Sequence, residues 1–461
     1  MSLEGAIAAQ RFGLGARPGE IEAASPNPKR WLLDQLASSV DQPTPLDDGP
    51  PFRTGGDLVL DLLQYRNEQK MARQQAASSP GTPAPDPVKM FFKTRASQFT
   101  REMEARFALG FTTEKPFAER LVWFWSNHFA VSALNPAAIT FIGAFEREAI
   151  RPNIAGKFED MVLASTRHPA MQLYLDNAQS IGPDSLAGKF SGKGLNENLG
   201  RELMELHTLG VDGGYTQADV IALAKILTGW SIDRDGGTTG FRYYPARHEP
   251  GDIVLRGKTY SGGEDAGIQA LKDLARDPAT ARHIARKFAA HFVADDPPAA
   301  SVARLERNFL QTGGDLHALA ETLVDDPEAW KPAQTKMRRP VEYSTAALRM
   351  LAWPHDGDRE KQVKSVMGAT RLMGEFPLAA PSPKGWPDNA DAWSGPDALL
   401  NRIEWAKELG ARVPSSVDPM MLADAGLGPL LKPDTRAAIE SANAPGDAVA
   451  LLVSSPEFQR R

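Results

Sequence analysis

The chain has 461 residues, 24% of them charged and 42% hydrophobic, with a formal net charge of −6 and no cysteine. That balance argues against a nucleic-acid binder driven by phosphate neutralisation, and the missing thiols exclude disulfides, thiolate zinc sites, iron–sulfur clusters and cysteine nucleophiles. No apolar run approaches the roughly 20 residues of a membrane span, and MSLEGAIAAQRFGLGARPGE lacks the basic head and apolar block of a secretory signal, so a cytoplasmic location is expected, with export left open.

In chain order the pattern is nearly all helix. The fold class it predicts is mainly α: a large multi-helix globular bundle in one domain over 1–461, with one small β-hairpin insertion at about 231–263. Asn27-Pro28 introduces a first helix, and 40–56 is loop. Residues 57–76 are helical, and a Pro-rich segment at 77–87 is expected to be flexible. Helices follow at about 88–110 and 114–132. The second carries Leu121-Val122-Trp123-Phe124-Trp125-Ser126-Asn127-His128-Phe129, apolar on almost every side, so Asn127 and His128 need interior partners. His168-Pro169 reads as a capped helix entry. The stretch Ile181 to Gly194 is glycine-rich: a plain connector first, a lid or an anion cradle otherwise. Phe241–Tyr244 and Ile253–Tyr260 are β-prone and flank the turn carrying His248-Glu249, which predicts the hairpin. Helices resume from about 264. Phe376 to Pro387 is an irregular loop presenting Lys384 and Trp386, and Trp386 and Trp393 either stack on a ligand or plug a core gap.

The most informative stretch is 195–230, two helices joined by a glycine turn. At roughly 100° per residue, Leu195, Leu199, Leu203, Leu206 and Leu209 share one core-facing sector, and Glu202 falls inside it. A carboxylate driven inward must be paired, protonated or metal-bound. Arg338 and Arg339 are the first candidates for such a pairing, while Arg201 has Glu197 and Glu205 four residues away. The turn from Asp212 to Asp219 resembles half an EF-hand loop, but Gly210 stands where a ligand is needed. Thr216 capping the next helix, with Asp219 closing a capping box, accounts for it better.

Two functions of different kinds follow. In the first, an enzyme, Glu202, Glu205 and His128 are the catalytic candidates, with Glu202 a general acid or base whose pKa burial raises. Asn127, Asn196, Asn198, His248, Lys384 and Trp386 are the substrate-binding candidates. A metal version would set Glu202 and Glu205 with His128, His168 or His248, an oxygen and imidazole set suited to iron, manganese or zinc. Metal and cofactor are otherwise unknown. In the second, a non-catalytic scaffold or partner-binding protein, the same polar residues fix helix register. The partner is a small molecule or a protein, and the oligomeric state is not legible. No Gly-x-Ser-x-Gly, His-Glu-x-x-His or dinucleotide fingerprint is present.

RFGLGARPGE, WFWSNHFAVS, HPAMQLYLDN, NENLGRELMELHTLGVDGGYTQADV with LTGW, PSPKGWP and SSPEFQ together resemble a large bacterial family of unknown function, domain of unknown function 1800, over essentially the whole chain. The family usually has His-Asp followed by Gly-x-Lys at the hairpin turn, where this chain has His248-Glu249-Pro250-Gly251-Asp252-Ile253. The resemblance implies no established activity, cofactor or catalytic residue, and many relatives look exported.

Overall fold

Helix entry is written repeatedly into this sequence as a capping side chain followed by proline, whose missing N–H costs nothing in a first turn. Asn27, His168, Asp277, Asp418 and Ser455 each accept a backbone N–H at such an entry, with Pro28, Pro169, Pro278, Pro419 and Pro456 following. The computed structural model describes residues 1–78, 87–192, 194–237, 239–353 and 359–461. The Pro-rich segment expected to be flexible falls mostly outside these residues, at 79–86. The architecture is mainly α with a small β insertion.

The insertion is built differently from the hairpin the sequence suggested. Strand β1 (Trp230–Ile232) pairs antiparallel with β2 (Phe241–Tyr243), and β3 (Asp252–Leu255) pairs with β4 (Lys258–Ser261). The two β-prone runs therefore do not pair with each other. The second folds back on itself at Arg256-Gly257, where both residues have positive φ (48° and 78°), the requirement of a tight two-residue hairpin turn. The glycine turn after the central helix behaves as read: Gly214 has φ of 69°, and Thr216 and Asp219 form the capping box of helix Gln217–Ile226.

Helix Pro116–His128 runs through the core and is buried at every position except the partly buried Asn127. Its aromatic side chains reach both neighbours: Phe124 meets Phe288 edge-on at 5.3 Å and Trp125 lies 5.6 Å from Phe158. Phe288 belongs to helix Pro278–Phe292, which packs on helix Ala299–Thr312. A second apolar cluster joins Tyr343, Ala346, Ala347 and Met350 of helix Pro340–Met350 to the C-terminal helices through Trp405, Leu452 and Phe458.

The central segment departs from regular α-helix. Asn198–Glu202 is α-helical, but Leu203–His207 is a widened π turn. One extra residue in a turn advances everything after it around the axis. His207, which regular helical spacing leaves outside the leucine sector, is 1% exposed, while Leu206, inside it, is only partly buried. Glu202 lies where the two geometries meet, and its side chain is half-buried rather than enclosed.

Candidate active site

Helix Pro278–Phe292 places His283, Lys287 and His291 four residues apart, on one face. That face turns toward helix Pro116–His128, and the Lys287 Nζ lies 2.9 Å from His128 Nδ1. The other ring nitrogen, Nε2, is 3.0 Å from the His207 carbonyl oxygen. A carbonyl only accepts, so Nε2 carries the proton and Nδ1 is the lone-pair nitrogen that takes a hydrogen bond from Lys287. His283 is fixed in the same way, its Nε2 3.1 Å from the Leu206 carbonyl. The π turn thus serves this site through two backbone oxygens.

No carboxylate forms a salt bridge with Lys287 among the described residues. Enclosure by protein lowers its pKa to about 8; the Asp388 charge opposes that shift in part, and Lys384 adds a smaller repulsion. Burial also depresses the imidazoles, His207 to about 3, His283 to about 4 and His128 well below its ordinary value. All three are neutral near pH 7.

Lys287 opens onto a pocket of about 380 Å³, walled by Trp123, Phe124 and the loop from Pro381 to Asp388. Asn127 fastens that loop. Its Nδ2 donates to the Trp386 carbonyl at 2.9 Å and its Oδ1 accepts the Trp386 N–H at 2.8 Å. Gly385 makes the approach possible: φ is 81°, and a Cβ there would sit 2.3 Å from the Asn127 carbonyl.

The far wall carries acid. The His291 Nδ1 is 2.7 Å from Asp388 Oδ2, and the Lys336 Nζ is 3.8 Å from the same oxygen. These partners hold the Asp388 carboxyl far below its usual range against the cost of burial. His291, Glu342 and Asp388 bring ligand atoms within 4.8 Å of one another, the one such grouping found among the described residues. The donor types suit a divalent cation, but the surroundings do not. Glu342 already takes Arg120 at 2.9 Å, Arg461 at 3.3 Å and the Arg339 backbone N–H at 3.2 Å. A metal there would displace bonded guanidinium groups.

A family model described as a protein of unknown function, DUF1800, matches residues 7–460. The chain belongs to the DUF1800 family. No curated protein and no solved structure matches it.

In this DUF1800 chain the residues singled out from sequence are spread over three places. Asn127, His128, Lys384 and Trp386 share the pocket with Lys287. Glu202 and Glu205 do not line it. They lie near Tyr174 and Tyr215, where burial and then the Glu205 charge raise the Glu202 pKa. Arg201 bonds Glu197 and Gln217, at 3.0 and 2.9 Å. Asn196 accepts the Asn198 N–H at 2.9 Å at the helix start, and Asn198 is exposed. The His248 Nδ1 lies 3.0 Å from the Thr228 carbonyl. Its neighbour Glu249 bonds Lys225 at 2.8 Å and the Asp184 N–H at 2.9 Å, pinning the glycine-rich loop. That loop contains the short helix Leu186–Ser191. The glutamates form no ligand cluster with His128, His168 or His248; the His168 Nδ1 caps its helix and its Nε2 faces Glu148. Arg338 and Arg339 meet Gln10 and Glu375 instead of Glu202.

Sequence reading missed Lys287, His291, Asp388 and His207. For the first two a signal existed: His283-x-x-x-Lys287-x-x-x-His291 is a polar row at helical spacing inside an otherwise amphipathic segment. His207 had none, because its burial depends on the π turn.

Proposed function

We propose that this protein is an enzyme that works by acid–base chemistry, with Lys287 as the proton-carrying group and His128 as the residue that positions it. One observation carries the reading: a lysine amine with no carboxylate salt bridge among the described residues is held by a neutral imidazole of fixed tautomer at the wall of a ligand-sized pocket. An ordinary lysine is almost wholly protonated at neutral pH and makes a poor base. With its pKa brought to about 8, Lys287 keeps roughly a tenth of its amine free at pH 7. The free amine removes a proton from a bound substrate; the ammonium returns one to a developing anion. His128 Nδ1 accepts one Nζ–H in either case and so fixes how the rest of the amine is aimed. This moves the acid–base role from Glu202, which does not line the pocket, to Lys287, and keeps His128 within it.

The test is competitive labelling of the folded chain with acetic anhydride, resolved by lysine in a mass spectrometer across pH 6 to 11. Lys287 should titrate with a midpoint near pH 8, about two units below the surface lysines. Lys287→Met and His128→Ala should each abolish turnover in a metabolite-extract screen while leaving cooperative unfolding intact. A Lys287 midpoint with the bulk lysines would return the pocket to the scaffold reading, in which these groups only set helix register.

A further inference from the structure

The polar groups facing this pocket are unevenly divided between donors and acceptors. Lys384 is exposed at its mouth and makes no salt bridge among the described residues. Arg339 lines it too; among the described residues its guanidinium makes one salt bridge, to Glu375 at 3.6 Å, with Glu342 and Asp388 adding weaker attraction, and its Nε has no hydrogen-bond partner. The Trp386 Nε1–H is buried and also unpartnered. Lys287 adds a fourth donor, shared among the described residues with His128 alone. Against these stands one lining carboxylate, Asp388, whose Oδ2 accepts a hydrogen bond from His291 at 2.7 Å and lies 3.8 Å from Lys336, while its Oδ1 is unpartnered among the described residues. Donors left without acceptors in a low-dielectric wall are costly, and an arriving acceptor group recovers that cost.

We infer that the pocket holds a small organic anion with a flat apolar body, its charged group between Lys384 and Arg339 and its body against Trp123 and Trp386. The inference rests on the reading of this pocket as the working site and adds the class of its ligand. Net positive lining draws the anion in, and the aromatic side chains of Trp123, Phe124 and Trp386 on the lining favour a planar apolar partner. At about 380 Å³ the space lies near the small end of ligand pockets, which run from ~300 to 1,000 Å³. An anion lodged beside Lys287 would raise its pKa again, so occupancy and protonation are linked.

Calorimetric titration of the full chain with benzoate, phenyl phosphate and the neutral isostere benzamide decides the matter. At least one anion should bind, with benzamide tenfold weaker or worse. Lys384→Glu, a change at an exposed position, should weaken the anion by tenfold or more and leave benzamide unaltered. Failure of both anions to bind, equal binding by benzamide, or an indifferent Lys384→Glu variant would each overturn the inference. The two proposals fail separately. Anion selectivity with a Lys287 labelling midpoint among the surface lysines removes the acid–base reading and keeps the ligand class. A midpoint near pH 8 without anion selectivity does the reverse.

Discussion

At the scale of single residues, Lys287 ties function to stability. Its folded pKa of about 8 lies below the ordinary 10.5, so between those values the unfolded chain binds the extra proton. Stability therefore rises with pH across that window, and the whole penalty of enclosing an ammonium is present below it. Lys287→Met removes the titration. Wild type should gain on this variant by up to about 3 kcal/mol between pH 8 and 10.5, with no change in their difference between pH 6 and 7. Urea midpoints at pH 6, 7, 8, 9 and 10 measure it. Parallel curves throughout would mean the amine has an ordinary pKa. The gain is a cost the fold accepts at neutral pH, as expected of a working group and not of a structural one.

At the scale of elements, the site depends on a loop clamp and on a widened turn. Asn127 holds the Pro381–Asp388 loop with both ends of its amide, so Asn127→Asp keeps the acceptor and loses the donor to the Trp386 carbonyl. That variant should lose about 1–3 kcal/mol and move the Trp386 resonance in ¹⁹F-tryptophan NMR, assigned through Trp386→Phe. An unmoved resonance would show that the loop stands without the clamp. The sequence made part of this visible. The apolar helix through His128 demanded interior partners for Asn127 and His128, and it has them. The capping box at Thr216 and the helix entry at His168 were equally local and equally readable. The Leu203–His207 turn was not. Helical arithmetic assumes one constant angle per residue, and a single extra residue carries His207 inward and leaves Glu202 at the margin. Strand pairing failed for a related reason: the β-prone runs were legible, but Arg256-Gly257 closes one of them on itself.

At the scale of the whole molecule, the reading of one anomalous glutamate gives way to a fold crossed by buried ion networks. Glu146 binds Arg106 and Arg151, both at 2.7 Å, while Arg151 reaches on to Glu119 at 2.6 Å. Glu342 gathers Arg120 and Arg461. Composition could not reveal this, because buried and surface arginines count alike. Such networks cost desolvation and are kept together only while every member is charged and bonded. Their arginines hold the Glu146 carboxyl at about 2 despite burial, below the ordinary 4.5, so its stabilisation is complete above 4.5 and is lost as pH falls toward 2. The imidazoles act earlier. His207 is held neutral down to about 3 and His283 and His291 to about 4, all from 6.5, so the unfolded chain takes up protons first and stability begins to fall below pH 6.5. Acid unfolding should therefore start well above the carboxylate range. His207→Leu isolates one contribution, since both its ring nitrogens are buried without partners and an apolar side chain leaves nothing unpaired. That variant should match or exceed wild-type stability at pH 7 and gain about 3 kcal/mol on it by pH 4, read from urea midpoints at the two values. Equal losses in both proteins between pH 7 and 4 would mean that His207 can be protonated inside the fold, and that the enclosure assigned to the wall behind His128 is wrong.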